Sequence, residues 1–148
     1  ERQAWALIPC QGGFLCVDRE GIVIDKLNTF SPDQYCIITM DKQPEQLVLG
    51  QAVDPEAITA IRQVWEAIPT ANRGDISDYH WVNETKEVIL YTNHGTEILF
   101  GDLERLSDKV QSLIQIINIE KDFEKEGKSP LNYVDLRFKG PPVVKTLD

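Results

Sequence analysis

His80 and His94 are the two histidines of the chain; His80 sits between Tyr79 and Trp81, and His94 precedes Gly95. Imidazole suits general acid–base work or metal binding near neutral pH. Neither histidine stands in an HxH, HExxH or mixed Cys/His pattern, so no metal ligand set is expected. Cys10, Cys16 and Cys36 make an odd count without metal-ligand spacing. Cys10 and Cys16 flank a Gly12-Gly13 turn and are able to face each other across a hairpin; the alternative is free thiols, buried or half-exposed. No serine occupies a GxSxG elbow, and no GxGxxG or P-loop is present. Asp18, Glu20 and Asp25 surround a tight turn but lack EF-hand spacing, and Asp favours such turns unaided. Catalytic, metal and cofactor sites are therefore all expected to be absent.

Two other sets of residues fit binding. Tyr79, Trp81, Tyr91 and Phe100 lie within the strand-like stretch Ile76 to Phe100 and fit either sheet packing or a ligand groove. A pocket lined by Tyr79, Trp81 and Tyr91 over a carboxylate is the mark of a ligand- or glycan-binding module or an enzyme. The second set is the terminal stretch from Asn132 to Lys145. Val134, Leu136 and Phe138 alternate with Tyr133, Asp135 and Arg137, which is strand periodicity. Charges are costly inside a sheet unless paired, so this strand is expected at or near an edge. A free edge exposes N–H and C=O groups that a partner's extended segment can pair with. Gly140, Pro141 and Pro142 interrupt the ladder, and Val143 to Lys145 is able to resume it.

At 148 residues the chain is expected to form one domain with a real core. An apolar fraction of 42%, with three Trp, four Tyr and five Phe, fits a folded protein. The net charge of −9 argues against nonspecific nucleic-acid binding and against docking on anionic lipid. No apolar run is long enough to span a bilayer, and no signal peptide is recognisable. The chain opens on Glu1 and its one methionine is Met40. A piece of a longer or processed chain is expected, with any membrane anchor upstream.

The elements that must position these residues follow from pattern. Trp5 to Cys10, Phe14 to Val17 and Ile22 to Ile24 read as a meander, and Tyr35 to Met40 as a buried strand. Ser31-Pro32-Asp33 is a turn, Pro44 marks a loop, and Gln46 to Leu49 reads as a short extended piece. Asp54-Pro55-Glu56 begins a helix whose Ile58, Ile61, Trp65 and Ile68 share a face. Ile76 to Val82, Glu87 to Thr92 and Thr96 to Phe100 form a second meander. A long helix follows, capped by Asp102, with Leu103, Leu106, Val110, Leu113, Ile114 and Ile117 as its stripe. Gly127 and Pro130 close it. The expectation is an α+β fold: a mostly antiparallel, bent sheet with two amphipathic helices packed on one face.

Four segments together resemble the C-terminal extracytoplasmic domain of the bacterial cell-division protein FtsQ, called DivIB in Gram-positive bacteria. They are ERQAWAL at the front, Asp18 to Val23 (DREGIV), Gly95 to Gly101 with Lys109, and Tyr133 to Phe138 (YVDLRF). The resemblance implies a non-enzymatic divisome scaffold. It also implies a short cytoplasmic tail, one transmembrane helix and a POTRA domain upstream, this domain lying outside the membrane. Partners implied are the bitopic coiled-coil proteins FtsB (DivIC) and FtsL, with a partner segment pairing along the terminal strand. On that basis Tyr133, Val134, Asp135, Leu136, Arg137, Phe138, Gly140 and Val143 are the candidate partner-binding residues. Arg137 would meet a partner carboxylate, and Phe138 would be an aromatic anchor. Asp135 and Arg137 also read as an intramolecular ion pair. The prolines after Gly140 depart from relatives that continue the strand.

Overall fold

The computed structural model describes residues 3–29, 35–42, 48–129, 131–140 and 142–146. Expectations placed on Glu1-Arg2, Ser31-Pro32-Asp33, Pro44, Gln46, Pro130 and Pro141 lie outside the described residues. The elements are β1 (Ala6–Cys10), β2 (Gly13–Val17), β3 (Val23–Leu27), β4 (Cys36–Met40), α1 (Pro55–Ala67), α2 (Thr70–Arg73), β5 (Ile76–Val82), β6 (Glu87–Thr92), β7 (Glu97–Gly101), α3 (Leu106–Glu126), β8 (Leu131–Asp135) and β9 (Val143–Thr146). The strands form one nine-stranded sheet in the order β3-β2-β1-β4-β5-β6-β7-β8-β9.

The fold is α+β, but the sheet is mixed and not mostly antiparallel. β1–β4, β4–β5 and β7–β8 run parallel. Each parallel pair is joined by a long excursion, and two of these carry the helices: β4 to β5 through α1 and α2, and β7 to β8 through α3. A parallel neighbour needs such a crossover, whereas a meander reading allows only hairpins. α2, in the link between α1 and β5, was not expected.

α1 starts as its sequence dictates. Asp54 accepts hydrogen bonds from the N–H groups of Glu56 and Ala57, and Pro55 occupies the first turn. Ala57, Ile58, Ile61 and Val64 are its buried face. Gly21, at φ +85°, lies under this face; a Cβ there would stand 2.9 Å from Ile58 Cγ1. Arg73 closes the other end, donating from Nε to the carbonyls of Trp65 and Ile68 while its guanidinium stacks 3.9 Å above the Trp65 ring. Both helices feed one core with Ile38, Tyr79, Leu90, Ile98 and Val134 of successive strands.

α3 departs from expectation at its start. Asp102 caps the turn before the helix, its Oδ1 accepting from Glu104 N–H at 3.0 Å, and Arg105 in the left-handed region precedes Leu106. Leu103 therefore lies outside the helix. Its buried face also includes two charged residues, Lys109 and Glu120. Lys109, only 2% exposed, donates from Nζ to the carbonyls of Phe100 (3.0 Å) and Asp102 (2.7 Å). Burial lowers its pKa, and Asp102 opposes that shift. Glu120 Oε2 accepts from Thr92 Oγ1 (2.9 Å) and Thr96 Oγ1 (2.5 Å), and Thr96 Oγ1 also lies 3.1 Å from the Leu131 carbonyl. A carboxylate thus ties α3 to the β6–β7 turn and to the first residue of β8.

Candidate partner-binding edge

β8 is held on its inner side by apolar burial: Leu131, Val134 and Leu136 are in the core. It is not an edge strand. β7 pairs with it on one side (Glu97↔Tyr133, Ile98↔Val134, Leu99↔Asp135) and β9 on the other (Tyr133↔Lys145, Val134↔Val144, Asp135↔Val143). The edge expectation failed because the charges that suggested it neutralise each other. Arg137 donates to Asp135 from Nε (3.0 Å) and Nη2 (2.8 Å), a two-pronged ion pair. That pairing holds the Asp135 carboxyl below the usual carboxylate range and raises Arg137.

The strand also ends earlier than its alternation suggests. Asp135 Oδ1 accepts the Arg137 N–H at 2.9 Å, turning the chain after Leu136, whose own N–H still reaches the Leu99 carbonyl at 2.9 Å. Phe138 is left 66% exposed, with the Arg137 guanidinium 5.5 Å from its ring. Arg105 donates to the Arg137 carbonyl at 3.0 Å and so fixes this turn to the start of α3. Between them lies a hollow of about 130 Å³ lined by Arg105, Lys109, Phe138, Lys139, Gly140 and Pro142. Gly101, at φ +86°, brings β7 so close to Arg137 that a Cβ would meet its Cγ at 3.0 Å.

The sheet border belongs to β9. Val143 and Val144 are 55% and 49% exposed. Val144 continues the buried row Ile38-Tyr79-Leu90-Ile98-Val134 through its pairing with Val134. No described residue pairs with the outer side of β9. The opposite border, β3, is treated differently. Val23 N–H donates to the Gln51 carbonyl and Gly50 N–H to the Val23 carbonyl, so a loop covers its start. The rest carries Asp25 and Lys26, both exposed. Charge and cover blunt an edge; β9 has neither at Val143 and Val144. Of the eight candidate residues, Val143 lies on the border, Arg137, Phe138 and Gly140 in the connection leading to it, and Tyr133 to Leu136 one strand inside. The sequence signal for β9 was the extended stretch resuming at Val143, which pairs with Asp135.

The remaining polar residues make local contacts. His80 bridges β4 and β5: its Nε2 lies 2.8 Å from Asp41 Oδ1 and its Nδ1 2.7 Å from Thr39 Oγ1. A carboxylate can only accept, so Nε2 carries the proton, and in the neutral imidazole Nδ1 accepts from the Thr39 hydroxyl. This bond holds the Asp41 pKa down. His94 is exposed, with Nε2 2.8 Å from Glu124 Oε2. Asp18 Oδ1 accepts from the N–H groups of Glu20 and Ile22 within the turn. Cys10 sits across from Gly13 and Cys16 across from Leu7, so these two thiols do not face each other; all three cysteines are free. Tyr79 and Trp81 point into the core, whereas Tyr91 is on the other face, so they line no common pocket. Among the described residues there is no metal-competent cluster of His, Cys, Asp and Glu, and no helix long and apolar enough to cross a membrane.

The sequence model of one protein family, "Cell division protein FtsQ/DivIB, C-terminal", matches residues 6–137. This chain belongs to the FtsQ/DivIB family. The match runs from the start of β1 to Arg137 and stops short of β9. Among solved structures, the chain is similar to the major extracytoplasmic domain of the trans isomer of the bacterial cell division protein DivIB from Geobacillus stearothermophilus. The two are 20% identical with a TM-score of 0.48, over 75% of this chain and 87% of that one. No curated protein matches the sequence. FtsQ/DivIB membership makes cell division the process this domain serves.

Proposed function

We propose that this chain is a single, non-enzymatic scaffold domain of an FtsQ/DivIB-type division protein, placed on the extracytoplasmic side of the membrane. An upstream POTRA domain and a transmembrane helix would complete the protein. The domain recruits FtsB/DivIC- and FtsL-type partners during septum formation by accepting an extended segment along β9. The observation that carries the reading is the difference between the two sheet borders. β3 is covered and charged, while β9 presents exposed Val143 and Val144 with no described strand on its outer side. An added strand would satisfy the outer N–H and C=O groups of β9 and cover Val144, whose row is buried everywhere else.

The hairpin turn supplies specificity in this reading. Phe138 is the exposed aromatic anchor, and Arg137 offers charge to a partner carboxylate from within its pair with Asp135. Tyr133 to Leu136 act one strand behind the border by fixing the register of β9. The test is binding of a DivIC-like extracytoplasmic peptide by calorimetry. Val144→Pro removes a backbone donor and should weaken binding by at least about tenfold. Phe138→Ala and Arg137→Glu should also weaken it, aromatic and Arg anchors being common hot spots. Thermal unfolding of Phe138→Ala should stay close to wild type. Unchanged affinity in all three variants refutes the site.

A further inference from the structure

We propose that the sheet face away from the helices, over β4 to β7, is a second docking surface that takes a cationic, extended polypeptide segment. Both long helices pack on the opposite face, where Ile38, Tyr79, Leu90 and Ile98 are buried. The alternate residues face outward in two cross-strand rows. One runs Thr39-His80-Ile89-Leu99 and the next Asp78-Tyr91-Glu97-Tyr133. The apolar members, Ile89, Leu99, Tyr91 and Tyr133, are half-buried and lie outside the core that the described helices share.

Charge selects the occupant. Partial burial raises the Tyr91 pKa, and the charges of its row neighbours Glu97 and Asp78, a hydrogen bond to Glu97 and the charge of Asp41 add to the shift. Among the described residues the cations near this face are few: Arg137 is taken by Asp135, and Lys145 stands at the far end of the second row, across from Tyr133. No described Lys or Arg forms an ion pair with Asp78 or Glu97; the Asp78 carboxylate accepts from the neighbouring Ser77 hydroxyl at 2.7 Å. Carboxylates without a described Lys or Arg partner, beside half-buried aliphatic and aromatic side chains, fit a segment alternating Lys or Arg with apolar residues. Side chains along such a strand fall at the spacing of the rows they meet. This surface is separate from β9 and does not depend on the function proposed for it.

The test uses the whole domain and a short synthetic peptide alternating lysine with valine, with a glutamate–valine peptide as control. Binding is followed by backbone amide chemical shifts. The lysine peptide should give saturable shifts at Thr39, His80, Ile89, Tyr91 and Leu99, and the glutamate peptide none. Asp78→Asn with Glu97→Gln should weaken binding at least about fivefold and lower its salt dependence. Ile89→Thr, which keeps a β-branched strand residue, should weaken it too. Val144→Pro should leave it unchanged, which separates this surface from the β9 reading. Shifts spread evenly over the acidic surface or centred on β9, or equal affinity in the double variant or in Ile89→Thr, overturn the proposal.

Discussion

Glu120 gives a stringent test of how this fold is held. It is a buried carboxylate on α3 that accepts from Thr92 and Thr96. Replacing it with alanine removes both acceptor positions at once. The losses are unequal. Thr96 has a second acceptor at 3.1 Å, the Leu131 carbonyl, and can turn its one proton there. Thr92 is given no alternative acceptor for its hydroxyl among the described residues. One charge-assisted hydrogen bond is then lost outright, about 1.5–3 kcal/mol, with roughly 1 kcal/mol more for the buried methylenes. Relief from burying a carboxylate offsets part of this. The expected net loss is about 2–3 kcal/mol, or roughly 5–10 °C in Tm for a chain of this size. Glu120→Gln retains an amide oxygen able to accept both hydroxyls and should lose only about 1 kcal/mol. Urea unfolding with unchanged m-values is the assay. Because Thr96 also joins Leu131, amide exchange should accelerate first along β8 and β9. A Glu120→Ala loss below about 0.5 kcal/mol, or a Gln variant as damaged as the Ala variant, refutes the polar tie as a structural determinant.

The other predictions concern single contacts. Gly21→Ala puts a Cβ at 2.9 Å from Ile58 Cγ1 in a left-handed conformation, and should cost about 1–3 kcal/mol by urea unfolding. The folded-state pKa of Asp135 is depressed by Arg137, so its contribution is present above the unfolded value near 4 and is lost as pH falls through the folded value. Asp135→Asn should therefore be less stable than wild type at neutral pH, and the gap should close in acid titrations below about pH 4. A gap that persists at low pH assigns the effect to packing instead. Lys109→Met leaves the Phe100 and Asp102 carbonyls without their ammonium donor and should destabilise by about 1–3 kcal/mol in the same assay.

The sequence by itself determined the local elements. Asp54-Pro55-Glu56 places the start of α1 because capping and a fixed proline φ act within a few residues. Gly127 ends α3, and the β-branched run in Tyr35 to Met40 and the strand-like segments of Ile76 to Phe100 mark strands, for the same reason: these signals are short-range. The matched segments from the front of β1 to Arg137 also carried the family. Tertiary structure decided which strands are neighbours, and therefore which are parallel and which one forms the border. A charged strand such as β8 can lie inside the sheet when its charges pair; the sequence offered the Asp135–Arg137 ion pair as one reading, and only the folded chain chose it over a partner contact. The buried positions of Lys109 and Glu120 were equally hidden. Periodicity registers their polarity, whereas burial depends on carbonyls and hydroxyls that arrive from β7, the β6–β7 turn and the loop before α3 only once the chain has folded.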